Sequence, residues 1–375
     1  MRRFAAGLAF AAALATAGQA AAWGGPGHQL TGAIADQLLA SHSNAAAQVA
    51  RILKGGTLHD AAPWPDCVRT VNVFGGGLPD WPKDAKVPAV CQVLTASQAQ
   101  KDEMVAYARA NWGQCSTPDP SHPCHTQYHF ADIPEADRAY AGSRQPGATD
   151  HDVVRTINAA VMRLEGKTPP KPYAALTERE ALFLLDHMVG DLHQPLHVGA
   201  LYLQPGGARV NDPPPKPPAS METIGGNAIQ YKSGVLHGAW DDISARLSKD
   251  TGLVAAANAL QPTPGDYHGW AAIWASDSVA QAHTPAFQEL LFGKAGPPPN
   301  PHKKGLVWPI SDKPSNYDDV MDSEQRIQII KGGRHLADLL VAIWPDASTP
   351  PPGQPPPKKP KAPKKPKTPA GGAPV

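Results

Sequence analysis

The chain has 375 residues and a formal net charge of +1, length enough for one large domain or two ordinary ones with ample core. The charge is unevenly spread. Taking Arg2, Arg3 and the six lysines of the last 29 residues (Lys358, Lys359, Lys361, Lys364, Lys365, Lys367) from the 34 Lys and Arg leaves 26 against 33 Asp and Glu, near −7. So acidic a body excludes a general polyanion binder; if the protein handles phosphates, its positive charge must be local.

The chain begins MRRF, continues AAGLAFAAALATA and reaches Ala20-Ala21-Ala22. A basic start, a short apolar run and a small-residue site spell a secretory signal peptide over 1–22, cleaved after Ala22. The run is too short and alanine-rich for a membrane span, and no later stretch approaches one. The mature protein is expected to be exported and soluble, secreted or periplasmic, and monomeric.

His28 opens an amphipathic helix with Leu30, Ile34, Leu38 and Leu39 on one side, and a second helix, AAAQVARILK, stops at Gly55-Gly56. TLHDAAPWPDCVRTV reads as loop and turn, and 71–95, rich in Gly and Pro, as loop. A helix is expected over 96–112, then a loop to Cys124 and the aromatic extended piece TQYHFADIP. Helices follow near 150–165 and 177–193, and 203–223, with its PPPKPP, reads as a surface loop. VLHGAWDDISARLSK, stretches near 268–292, and SEQRIQIIKGGRHLADLLVAIW over 323–344 complete the helical set. The tail, 347–375, is Pro- and Lys-rich and expected to be disordered. With no internal repeat and little strand alternation, the expectation is a mainly α fold, one helical domain over 23–346.

Four cysteines agree with an oxidising compartment. Closeness in sequence favours Cys67–Cys91 and Cys115–Cys124 among three connectivities. The C-x8-C pair, with His122 and His125 nearby, is open to a zinc reading as well, but export and the lack of any C-x2-C favour disulfides.

The chemistry gathers on HMVGDLHQPLH. His187 and Asp191 are four apart at the end of the helical run ALTEREALFLLDHMVGD, so they share a face one turn from each other. Pro195 cannot continue that helix, which puts His197 in the turn beyond it. An imidazole and a carboxylate one turn apart suit Zn²⁺, although a lone H-x3-D is more often a helix ending in polar residues. Distant segments supply matching donors: His28, Asp66, His129, and a second i, i+4 pair, His237 and Asp241. Cleavage after Ala22 would expose the α-amine of Trp23, which with its own carbonyl oxygen can chelate a metal.

These residues carry a resemblance. W-G-x-x-G-H after a signal peptide, WPD-x-x-R, YHF-x-x-IP, H-x3-D-x-HQPLH and GGN followed by LH-x-x-WD resemble the zinc-dependent nuclease and phospholipase C superfamily. The closer branch is that of single-strand-specific nucleases of the mung-bean type. The resemblance runs in order from Trp23 to Asp241, with a similar closing helix to about Trp344. It implies three zinc ions: one held by Asp66, His129, His187 and Asp191; one by His197, His237 and Asp241; one by the amine and carbonyl of Trp23, His28 and a bridging oxygen of Asp191. It further implies in-line hydrolysis of single-stranded DNA and RNA to 5′-phosphates, with activity on nucleotides. Asp66 would orient the attacking water, Arg69 would hold the phosphate and Asn227 a base edge. Three Zn²⁺ against three aspartates would place a focused positive site on an acidic protein.

Pro65 departs from the alanine usual in the second motif, and the insertion at 213–218 precedes Asn227 closely enough to reshape a base pocket. Of the 15 histidines, His193 falls off the ligand face, and His59, His125 and His335 have no spacing that argues for a site. The rival readings are a phospholipase C and a zinc-stabilised binding protein. The short gap from Trp23 to His28 and the aspartate at 241, where the phospholipase branch carries glutamate, favour the nuclease.

Overall fold

The computed structural model describes residues 23–73, 77–115, 123–142, 144–299 and 305–346; the expected signal peptide, the expected tail and His122 lie outside them. Helices dominate, and α7 (Glu178–Leu192) is the axis. Its start is fixed by a reciprocal capping box, in which Thr177 accepts from the Glu180 amide and Glu180 accepts from the Thr177 amide. Every residue from Glu180 to Leu192 is buried. A helix buried on all sides must be wrapped by others. Its wrapping is α1 (Gly25–Leu39), α6 (Val153–Leu164), α10 (Trp270–Gln281) and α12 (Tyr317–Ile343). The α1–α12 crossing is close: a Cβ on Gly333 would lie 2.5 Å from the Cβ of Ile34, so only glycine fits there.

Smaller helices fill the shell: α2 (Ser43–Ile52), α3 (Leu58–Ala61), α4 (Trp64–Val68), α5 (Gln98–Asn111), α8 (Leu236–Asp241), α9 (Leu253–Asn258) and α11 (Pro285–Gln288). The strands are short. β1 (Asn72–Val73) pairs with β2 (Pro79–Asp80), and β3 (Ile133–Pro134) lies parallel to β4 (Gly199–Ala200). A four-stranded sheet has the order β6-β5-β8-β7, from β5 (Ile229–Tyr231), β6 (Gly234–Val235), β7 (Leu291–Phe292) and β8 (Trp308–Asp312).

The mainly α expectation holds, and several boundaries move. The segment 57–71, read as loop and turn, contains α3 and α4. The helix expected over VLHGAWDDISARLSK stops at Asp241, because Asp242 turns extended. The last helix starts at Tyr317, six residues early, with Asp318 and Asp319 in its first turn, where the helix dipole favours them. Both disulfides, Cys67–Cys91 and Cys115–Cys124, form as sequence closeness suggests, so the C-x8-C pair is not a zinc site. Among the described residues no helix is long and apolar enough to cross a membrane.

Candidate metal centre

Five separate segments converge beside the C-terminal half of α7. His28 comes from the first turn of α1, behind a fully buried Trp23. The amide of Gly24 donates to the Asp241 carbonyl at 2.7 Å, tying this start to the end of α8. Asp66 and Arg69 come from α4 and its C-cap, with Arg69 Nη1 3.5 Å from Asp66 Oδ1. Pro65 sits in the first turn of α4, where a missing N–H leaves no helical bond unmade, so the departure from alanine does not disturb Asp66. His129 is pinned to the HQPLH turn: Ala131 N–H donates to the His197 carbonyl at 2.7 Å, and β3 runs beside β4. His187 and Asp191 share a face of α7; His197 ends the short 3-10 turn Pro195–His197; His237 and Asp241 share a face of α8.

Three donor groups result, each with its ligand atoms within 4.8 Å of one another: His28, His187 and Asp191; Asp66, His129 and His187; His197, His237 and Asp241. Asp191, fully buried, stands between them. Its Oδ2 lies 2.9 Å from His129 Nδ1 and 3.3 Å from His187 Nε2, while its Oδ1 lies 3.2 Å from His28 Nε2 without the alignment of a hydrogen bond. One carboxylate thus turns one oxygen toward each of two donor groups, the arrangement a bridging ligand needs.

Backbone carbonyls set the histidine rings. Nδ1 of His187 is 2.7 Å from the Ala62 carbonyl, Nδ1 of His197 is 2.9 Å from that of His129, and Nδ1 of His237 is 2.6 Å from that of Gly225. A neutral ring donating through Nδ1 keeps a lone pair on Nε2. Nε2 of His197 and of His237 then face each other at 3.1 Å. Two lone pairs repel at that distance unless a proton or a metal cation lies between them. Burial, reinforced by His197, pushes His237 down to about 3, and burial lowers His197 as well, which disfavours the proton at neutral pH. Burial, then Arg69, pushes His129 down to about 4. These rings are neutral donors, as metal ligands must be.

The carboxyls and His187 complete the case. Burial, with Asp66 and Asp191 close by, pushes Asp241 well above the carboxylate range, so its carboxyl keeps a proton unless a cation takes that place. Asp191 resists burial and stays well below that range because His187 and His197 surround it. Burial works to lower His187, yet Asp191 and Asp66 hold it above its ordinary value; a proton there stands in for a cation. Asp66 Oδ1, Asp191 Oδ1 and both His28 nitrogens are buried without a hydrogen-bond partner. Orphaned buried donors and acceptors of these types fit a metal centre, and three donor groups of N and O atoms suit Zn²⁺.

Asn227 is not in the clusters. Its Nδ2 donates to the Ile224 carbonyl at 3.0 Å, two residues from the Gly225 carbonyl that holds His237. Trp23 lies beside His28 without joining it through its side chain, since the indole Nε1 is buried and unpaired. His193 donates from Nδ1 to the Val189 carbonyl at 2.7 Å and meets His335 at 2.8 Å, a structural pair off the ligand face. His125 is buried between Tyr107 and Trp112, and His59 is exposed beside Asp60. Two features were not expected. Gln194 is fully buried and donates to Asp241. Phe130 and Ile224, next in sequence to His129 and Gly225, are 37% and 61% exposed although large and apolar. Their adjacency to motif residues was the one available signal.

A family model described as S1/P1 nuclease matches residues 83–344, and no curated protein matches the chain. The matched span includes His129, His187, Asp191, His197, Asn227, His237 and Asp241; Trp23, His28, Asp66 and Arg69 precede it. With that span covering more than half of the sequence, the chain belongs to the S1/P1 nuclease family.

Proposed function

We propose that the protein is an exported zinc-dependent endonuclease that hydrolyses single-stranded DNA and RNA to 5′-phosphorylated products, and that it also removes 3′-phosphates from nucleotides. The observation that carries this reading is the facing pair of Nε2 lone pairs on His197 and His237, beside an Asp191 whose two oxygens face separate donor groups.

Asp66, His129, His187 and Asp191 would hold one zinc, His197, His237 and Asp241 a second, and His28, Asp191 and the freed amine and carbonyl of Trp23 a third. When bound, zinc supplies an activated water near neutral pH and charge neutralisation at phosphorus. Asp66, whose buried Oδ1 has no hydrogen-bond partner, would accept a hydrogen bond from the attacking water and orient it. Arg69, 3.5 Å from Asp66, holds the phosphate through two parallel N–H donors. Phe130 and Ile224 offer apolar surface to an unstacked base, and Asn227 offers an amide to its edge. Ligands this deeply buried favour a flexible single strand over a stacked duplex. Residues 1–22 act as the export signal and 23–346 form the nuclease domain, followed by the Pro- and Lys-rich sequence 347–375; two disulfides accord with an oxidising compartment.

The test assays the mature protein on single-stranded DNA, RNA and phosphatidylcholine and measures its zinc. Cleavage of both nucleic acids with about three zinc per chain is expected from the coordination chemistry. Cleavage of phosphatidylcholine alone would move the protein to the phospholipase branch.

A further inference from the structure

Gln194 is wholly buried, carries no charge and is not a zinc-ligand type, yet it sits where two ligand-bearing segments meet. Its Oε1 accepts the Leu196 N–H at 2.6 Å, capping the turn that presents His197. Its Nε2 donates to Asp241 Oδ1 at 2.7 Å, across 47 residues of sequence. Reversing the amide would set oxygen against carboxylate and NH₂ against N–H, so the neighbours themselves determine its orientation.

The consequence falls on Asp241. Its backbone is already tied through the Gly24 amide. With Oδ1 occupied by Gln194, the oxygen that faces His237 Nε2, at 3.4 Å, is Oδ2. Glutamine suits this task because it donates and accepts at once without charge. A glutamate could not donate to a carboxylate, and a hydrocarbon could do neither.

We propose that Gln194 is a positioning residue for the metal held by His197, His237 and Asp241: it commits Asp241 to a single coordinating oxygen and couples that oxygen to the turn carrying His197. The inference rests on the zinc reading above. Partners that orient a ligating carboxylate typically change metal affinity about 10–100-fold when removed.

The experiment titrates zinc into the metal-stripped mature protein against a chromophoric chelator, for wild type, Gln194→Met, Asp241→Ala and the double variant. In Gln194→Met, one binding event should weaken by about 10–100-fold while the others stay unchanged. The double variant should bind no more weakly than Asp241→Ala alone, because the two residues act through one contact. Melting of the metal-stripped variants by circular dichroism should remain a single cooperative transition, at a lower temperature in Gln194→Met because Leu196 N–H and Asp241 Oδ1 lose a partner, which separates positioning from loss of fold. If Gln194→Met does not fold, Gln194→Asn, too short to reach Asp241, gives the same readout. Unchanged zinc affinities in the glutamine variants, or additive losses in the double variant, would overturn the role of Gln194 alone. A wild-type protein that takes up no zinc would overturn the functional reading and this inference with it.

Discussion

Gly190 lies between His187 and Asp191 on α7, and its replacement by alanine sets two effects in opposition. In an open helix, Gly→Ala stabilises by about 1 kcal/mol, because alanine loses less backbone freedom on folding. Here a Cβ would stand 2.7 Å from His28 Nδ1 and 3.2 Å from its Cε1. Ordinary contact between such atoms begins near 3.5 Å, so the ring must retreat by about 0.8 Å. It has little room. His28 is fully buried, stacks on His187 with ring centroids 3.7 Å apart, and has Nε2 3.2 Å from Asp191 Oδ1. Overpacking of this kind costs about 1–3 kcal/mol, which exceeds the helical gain. Gly190→Ala should therefore lower the stability of the metal-stripped protein by up to about 2 kcal/mol, after subtracting the propensity term. It should also weaken binding of the zinc assigned to His28. Urea unfolding in chelator gives the first quantity and zinc stoichiometry the second. A variant about 1 kcal/mol more stable than wild type, with its full zinc complement, would mean the helix term acts alone and the close packing of His28 on α7 is wrong.

Three further outcomes are expected. Asp191→Asn should lose more zinc than Asp241→Asn, since Asp191 faces two donor groups and Asp241 one; metal analysis in the reverse order would remove the bridging role. A precursor that mass spectrometry shows to keep residues 1–22 should bind one zinc fewer and be less active than the mature protein, because its Trp23 nitrogen is an amide; equal zinc and full activity would count against the Trp23 ligand. Asp132→Asn should flatten the pH dependence of stability. Burial, and then the neighbouring Glu222, push the Asp132 carboxyl up from 3.8 to about 7. The folded form thus holds a proton that the unfolded chain releases, a contribution complete below pH 3.8 and lost as pH rises through about 7. Relative to wild type, Asp132→Asn should gain stability between acid and pH 8, at no more than about 1.4 kcal/mol per pH unit; urea melts of metal-stripped protein showing a relative loss would contradict the buried-acid argument.

What the sequence made legible follows from which contacts are local. The pairs His187/Asp191 and His237/Asp241 could be placed because helical periodicity alone stacks residues four apart, and the helices are there. The break at Pro195 was equally local, and His197 does leave the helix. The helices α3 and α4 escaped because each spans a single turn, four and five residues, too short for any apolar period to register, and because Pro63 and Pro65 read as punctuation. The four-stranded sheet escaped for a related reason. Strands of two to five residues show no alternation, and its central parallel pair joins Ile229 to Trp308, a pairing that tertiary packing alone specifies.

The same division separates the ligands from what makes them ligands. Side-chain types and spacing name His197 and His237 as candidates, but their significance lies in the carbonyls of His129 and Gly225, which occupy both Nδ1 atoms and turn both Nε2 lone pairs into one small volume. Carbonyls are identical at every position, so no motif can announce which of them will orient a ring. Asp191 and Asp241 are buried among imidazoles, and without a cation the place is held by protons, one kept on His187 by Asp191 and Asp66 and one kept on Asp241 by burial. A multivalent cation resolves the facing lone pairs and the orphaned oxygens together, and takes the place of those protons. Such a cation also brings positive charge to the place where a phosphodiester would sit.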